Sequence, residues 1–312
     1  LGAAKSDGKG ATDPGATGAR EARGGARSGP GSGGGGRAGA SKGTPQASQA
    51  RLSTRYIFNK PGQPLGRSED DGRRRADARA YPFSTILKLR SAEYSGPNYV
   101  ADIDCTAVAI GPSTVLSAAH CLFHENNGNA FQNPRLIFGV DGHASVDTGL
   151  LGVATCARFT VPQMWVTLTR QGSQDPNKWQ YDMAVANLSN CNSARALIGR
   201  TGWSGYWVNA PDQDPVTAYG YPILGCGAHL CGMSGRMDIA SPWRLETDNI
   251  DLTSGQSGGP WYGQGYVIGV TSQQMPPFRN FDRCGFDQCF RNSARRLDTS
   301  FWNFIVAVSS DY

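Results

Sequence analysis

An all-β fold, in the form of barrels or sandwiches, is what this sequence predicts. Three observations predict it. Between Tyr81 and Val308 the apolar residues come in short runs, bounded by clusters of Gly, Pro, Asn and Asp. These runs do not alternate with helical patterns, which argues against a doubly wound α/β sheet. Finally, the region is long, about 230 residues, enough to bury a sizeable core beneath many short strands.

The runs justify themselves in chain order. FSTILKL (83–89), ADIDCTAVAI (101–110) and STVLSAA (113–119) come first, followed by PRLIFGV (134–140), LLGVATC (150–156) and YDMAVANL (181–188). PVTAYGY (215–221) and GYVIGVTS (265–272) complete the set. Each is short and carries the β-branched or aromatic residues that suit a pleated, buried surface. The end of the chain reads differently. DTSFWNFIVAV opens with Asp298, Thr299 and Ser300, residues that cap helix N-termini, and continues with large apolar residues. A short C-terminal helix over about 298–309 is expected, its apolar residues forming a packing face.

Residues 1–80 differ in kind. The first fifty contain no aromatic residue and little that is large and apolar. Such a segment cannot offset its conformational entropy by burial, so a disordered tail and linker are expected. The overall charge of +5 is divided unevenly, +8 up to residue 80 and −3 beyond it. The folded part is therefore slightly acidic. Arg–Gly stretches such as ARGGARSGPGSGGGGR can attract phosphate, but no aromatic is interleaved there for base stacking, so a tether or propeptide is expected rather than a nucleic-acid arm. Arg73, Arg74 and Arg75 sit in a polar stretch that reads as solvated charge and would also suit proteolytic maturation within 51–80. No run of eighteen apolar residues is present, so no membrane helix or membrane partner is expected. The chain begins at Leu1 rather than Met, which fits a fragment or processed product and hides any targeting signal.

All eight cysteines (105, 121, 156, 191, 226, 231, 284 and 289) lie in the folded part. The even count and two close pairs favour disulfides and an oxidising, secreted or lumenal setting. A zinc site built on the two C-x4-C pairs with His229 is the competing reading, but zinc usually takes C-x2-C and His229 sits too close to its flanking cysteines. No metal and no cofactor are expected. The sequon Asn187-Leu188-Ser189 fits secretion.

Chemistry is concentrated in three stretches. SGQSGGPWY (254–262) contains G-x-S-x-G, the nucleophile elbow of α/β-hydrolases. That fold needs a histidine after the serine, and the last of the four histidines is His229. The opposite order is available. His120 lies in IGPSTVLSAAHC with Cys105 upstream, Asp182 opens an alternating apolar run in WQYDMAVANL, and Ser257 follows in GQSGGP. In these stretches the sequence resembles the trypsin-like serine proteases over about 81–308. IGPSTVLSAAHC, the Tyr-Asp pair before a strand, VTAYGYP and SGQSGGP look closest to the bacterial glutamyl-endopeptidase branch.

The resemblance implies two packed antiparallel β-barrels, about 81–195 carrying His120 and Asp182 and about 196–297 carrying Ser257, with the site in the groove between them. His120 would take the proton of the Ser257 hydroxyl and return it to the leaving amine, while Asp182 holds the imidazole in the right tautomer. The N–H groups of Gly255 and Ser257 would face the developing oxyanion. His124 and His143 read as surface residues. In relatives matured by exposing a new N-terminus, an aspartate before the nucleophile pairs with the freed amino group. Gln256 is neutral here, so that switch is not expected. For substrate binding the resemblance points to Asp251, Thr271, Ser272 and Gln274. Asp251 favours cleavage after basic residues, whereas Thr271 stands where acid-cleaving relatives carry a histidine. Cys105–Cys121 is the family bridge. Cys226–Cys231 and Cys284–Cys289 would close short loops, leaving Cys156–Cys191. A monomer acting on protein or peptide substrates is expected. Two other readings remain: a catalytically silent protease-fold binding protein and an acid-specific endopeptidase.

Overall fold

Alternate residues of Ile86–Ser95 (β3) and Asn98–Ala109 (β4) face two different cores. Leu87 and Leu89 of β3, with Cys105, Ala107 and Ala109 of β4, point into one, while Ile86 and Val108 point into the other. A strand has a two-residue side-chain period, so apolar residues at consecutive positions mean that both faces are covered. The structure is a computed structural model and describes residues 3–5, 72–172, 176–223, 226–247, 250, 252–275 and 291–312.

Two curled antiparallel sheets result, as expected for the two-barrel architecture. The first runs β1 (Ala3–Lys5), β8 (Arg158–Pro162), β9 (Ala184–Asn187), β5 (Thr114–Ser117), β4, β3, β6 (Gln132–Phe138) and β7 (Gly152–Ala154). The second runs β12 (Asp238–Ser241), β13 (Arg244–Thr247), β16 (Arg291–Arg296), β15 (Tyr266–Met275), β14 (Pro260–Gly263), β10 (Val216–Gly220), β11 (Cys231–Gly235) and β2 (Arg74–Arg75). Each sheet encloses its own core, with Trp165 in the first and Trp261 in the second. A third core lies between the sheets. There Ile86, Leu116 and Ile137 meet Tyr219, Tyr221 and Val270.

Four elements depart from the sequence reading. Ala3–Lys5 pairs with Thr160–Pro162 where a tail without structure was expected, and Arg74–Arg75 pairs with Cys231–Gly232 upstream of the expected boundary at 81. Both pairings are made by backbone groups, which need no apolar side chain and so leave no hydropathy signal. Ala78, just beyond β2, is buried. Two helices were also missed, α1 (Gln163–Arg170) and α2 (Asn192–Thr201). The second buries Ala194, Leu197, Ile198 and Thr201, an i, i+3, i+4, i+7 stripe, and it spans the expected junction between 195 and 196.

The C-terminal helix α3 (Thr299–Val308) forms as expected. The Asp298 carboxylate accepts the Phe301 N–H at 2.8 Å, and Phe301 and Ile305 are fully buried one turn apart. Beyond α3 the chain locks onto the first sheet. Asp311 accepts from Ser113 N at 2.8 Å and from Thr114 Oγ1 at 2.6 Å, and the Tyr312 hydroxyl donates to Ile110 O at 3.0 Å. A helix that follows the last strand of the second sheet thereby fastens the first.

Cys105–Cys121, Cys156–Cys191 and Cys226–Cys231 are disulfide-bonded. With Cys226 and Cys231 joined to each other, neither offers a thiolate beside His229. Cys284 and Cys289 lie outside the described residues, as does most of the expected tail and linker. The Asn187 amide donates to Val308 O at 2.8 Å and its oxygen accepts from Ser189 N, so the sequon side chain is engaged within the fold.

Candidate active site

His120 sits on a single helical turn, Ala119–Cys121, anchored by the Cys105–Cys121 bridge. Asp182 follows a turn of residues Pro176–Tyr181, with its N–H bonded to Trp179 O. The two are joined twice. Asp182 Oδ2 lies 2.8 Å from His120 Nδ1, and Oδ1 accepts the His120 backbone N–H at 2.9 Å. A carboxylate only accepts, so Nδ1 carries the hydrogen, and in the neutral imidazole Nε2 keeps its lone pair. Ser272 Oγ donates to Asp182 Oδ2 at 2.5 Å. The Asp182 carboxylate is fully buried, whereas the imidazole is 17% exposed. Burial works against the charged imidazolium, but the adjoining Asp182 charge and hydrogen bond, with a smaller pull from Glu125, outweigh it. The His120 pKa is raised above its ordinary 6.5.

Ser257 lies in the turn ahead of β14 and is held from three sides. Its carbonyl accepts the Thr106 N–H at 2.8 Å. Next to it, Gly258 N donates to Thr271 O at 2.7 Å and Gly259 O accepts from Thr271 N at 2.8 Å. Gly258 has φ +75°, and a Cβ there would fall 2.2 Å from Ser117 Oγ and 2.9 Å from Ala118 N. The serine turn thus abuts the segment that leads into His120, an approach only glycine permits. Among the described residues no hydrogen bond joins His120 to Ser257. Such contacts are often long in unliganded sites and tighten when substrate is held.

Gly255 has φ +93°, and a Cβ on it would meet Tyr221 O at 2.3 Å. Its carbonyl accepts from Thr106 Oγ1 at 2.7 Å, and the same hydroxyl accepts from Tyr221 N at 2.9 Å. Thr106 is therefore a buried clasp between the first sheet and the loop before Ser257. Sequence reasoning missed it; its one signal was its place after Cys105. Among the described residues the N–H groups of Gly255 and Ser257 donate to no acceptor. Two donors two residues apart, beside a hydroxyl, suit a site for a developing negative oxygen.

The expected substrate-binding residues divide. Ser272 turns its hydroxyl to Asp182, so its side chain orients the carboxylate rather than facing a ligand. Thr271 Oγ1 accepts the Trp261 indole N–H at 3.1 Å and is buried. Both follow from strand alternation in β15, which sends neighbouring side chains to opposite faces. Gln274 pairs through its backbone with Asn292, and Asp251 lies outside the described residues. His143 is exposed, and His124 is half-buried with its ring accepting from Asn126 N at 3.1 Å. His229 Nδ1 lies 2.7 Å from Asp141 Oδ1 and links loops of the two sheets.

Cys105, His120 and Cys121 bring possible metal-binding atoms close together, but both sulfurs are consumed by their disulfide, so the trio does not fit a metal.

This arrangement defines the class: the fold is that of the trypsin-like serine proteases. Solved structures share it. The "Structure of Glu endopeptidase in complex with MPD" superposes with a TM-score of 0.57 at 20% identity, covering 76% of this chain and 96% of that one. Protease Anisep from Arthrobacter nicotinovorans gives 0.53 at 22% identity, covering 72% and 95%. In sequence the likeness runs to the glutamyl-endopeptidase branch. The chain is 27% identical over 195 residues to a glutamyl endopeptidase of Bacillus licheniformis, 62% of this chain and 54% of that protein. The chain thus spans about half the length of the curated relative it matches. No family profile matches it.

Proposed function

We propose that the chain is a secreted or lumenal serine endopeptidase that cleaves peptide bonds through an acyl-enzyme. The observation that carries this reading is the doubly held His120–Asp182 pair, buttressed by Ser272, with the Ser257 turn packed against the segment before the histidine. His120 Nε2, held with its lone pair free, accepts the Ser257 proton as Oγ attacks the scissile carbonyl. The carbonyl oxygen becomes an oxyanion beneath the Gly255 and Ser257 N–H groups. His120 then gives its proton to the leaving amine, and water repeats the sequence to release the acid product. Asp182 holds the imidazole in place and steadies the imidazolium. Both sheets contribute, so neither half is active alone.

Cleavage after basic residues is the preference that Asp251 supports. Cleavage after glutamate is the second reading, favoured by the 27% identity to a glutamyl endopeptidase. Turnover of a peptide library with each residue in turn before the scissile bond separates the two. Ser257→Ala in parallel tests the endopeptidase reading itself. Products that persist in the variant would contradict it.

A further inference from the structure

Gln256, the residue before the proposed nucleophile, is fully buried. Its side-chain oxygen accepts the Thr253 N–H at 2.9 Å, and its own N–H donates to Thr253 O at 3.1 Å. The turn Thr253–Gln256 is therefore closed on itself, with Gly255 inside it. Onto this turn comes a cation from far upstream. Arg73 Nη1 donates to Thr253 Oγ1 at 3.1 Å and to Gln256 Oε1 at 3.4 Å. Arg73 immediately precedes β2, whose pairing with Cys231–Gly232 fixes where the guanidinium starts.

The orientation of the amide is settled by its neighbours. Rotating it would set an NH2 group against the guanidinium and the Thr253 N–H, leaving those donors facing a donor. Among the described residues the amide nitrogen has no partner, so the oxygen is the atom the surroundings select.

We infer that Arg73 is a positioning residue for the proposed oxyanion site. It acts through Gln256 and Thr253 to hold the turn in which Gly255 N is left without an acceptor among the described residues. The inference rests on the endopeptidase reading. It also gives the tribasic run a role: a cut after Arg73 would release the clamp.

The test compares wild type, Arg73→Met, which keeps the aliphatic stem, and Arg73→Lys. Measured are kcat and KM on a peptide amide, affinity for a peptidyl trifluoromethyl ketone as oxyanion mimic, affinity for the matching product peptide, and the thermal midpoint. Removing one oxyanion donor outright lowers kcat by about 100- to 1,000-fold. Loosening its support in Arg73→Met should lower kcat about 10- to 100-fold and weaken the ketone in parallel. KM and product affinity should stay within about threefold, and Arg73→Lys should recover part of the loss. An Arg73→Met enzyme with kcat within about twofold of wild type overturns the inference, as does an equal loss of ketone and product binding. Should Arg73→Met not fold, Thr253→Val carries the same expected split. Wild type is first labelled with a fluorophosphonate. Failure there sinks the endopeptidase reading and this inference together, whereas a labelled wild type beside an unimpaired variant sinks this inference alone.

Discussion

Asp182 grips His120 through the backbone N–H and through ring Nδ1, one carboxylate oxygen to each, at 2.9 and 2.8 Å. Two bonds from one rigid, buried group fix both the position of the histidine and the rotation of its ring. That geometry makes the titration of His120 the most accessible property of the site.

Because the His120 pKa is raised above 6.5, the imidazole is protonated, and unable to act as a base, below that value. The acid limb of kcat/KM should therefore have its midpoint above 6.5. Asp182→Asn removes the charge that raises it and leaves burial, which acts in the other direction. The limb should move to lower pH while kcat falls by roughly 10,000-fold, since the amide also favours the wrong tautomer. A stopped assay across pH checks both. An unmoved limb would detach the profile from His120.

Thr106 joins the sheets at the serine turn. Thr106→Val keeps the shape but strips Tyr221 N of an acceptor and Gly255 O of a donor, both in a buried setting. The variant should lose about 1–3 kcal/mol of stability by denaturant titration, and kcat should fall while KM holds. A variant as stable as wild type would show that water replaces the hydroxyl.

These two residues mark how much was legible in the sequence. His120, Asp182 and Ser257 could be picked out as candidates because each sits in a short stretch with its own chemistry, and their order argued against the esterase alternative. The Asp298 cap could be read because helix N-termini need side-chain acceptors within a few residues. Thr106, Arg73 and the hydroxyl of Ser272 could not. Their partners lie between 90 and 183 residues away, and nothing local distinguishes them from any strand threonine, linker arginine or strand serine. The stripe of α2 was present in Ala194, Leu197, Ile198 and Thr201 but was passed over among strand-like runs. Strands β1 and β2 left no trace in hydropathy, because their pairing is made by backbone alone.

Asp311 anchors the chain end with bonds to a backbone N–H and two hydroxyls of Ser113 and Thr114. Asp311→Ala strips those buried donors of their carboxylate acceptor, while the Tyr312 and Asn187 bonds to the chain end remain. A loss of about 1.5–3 kcal/mol is expected for hydrogen bonds to a charged acceptor, read from the urea midpoint at constant slope. An unchanged midpoint would mean that Phe301 and Ile305 hold α3 without this tether.

The most direct measurement is fluorophosphonate labelling of wild type beside Ser257→Ala, read by intact mass and peptide mapping. The account predicts one adduct, on Ser257, absent from the variant and suppressed in Asp182→Asn. A wild type that takes up no label, or a label that survives Ser257→Ala, would contradict it.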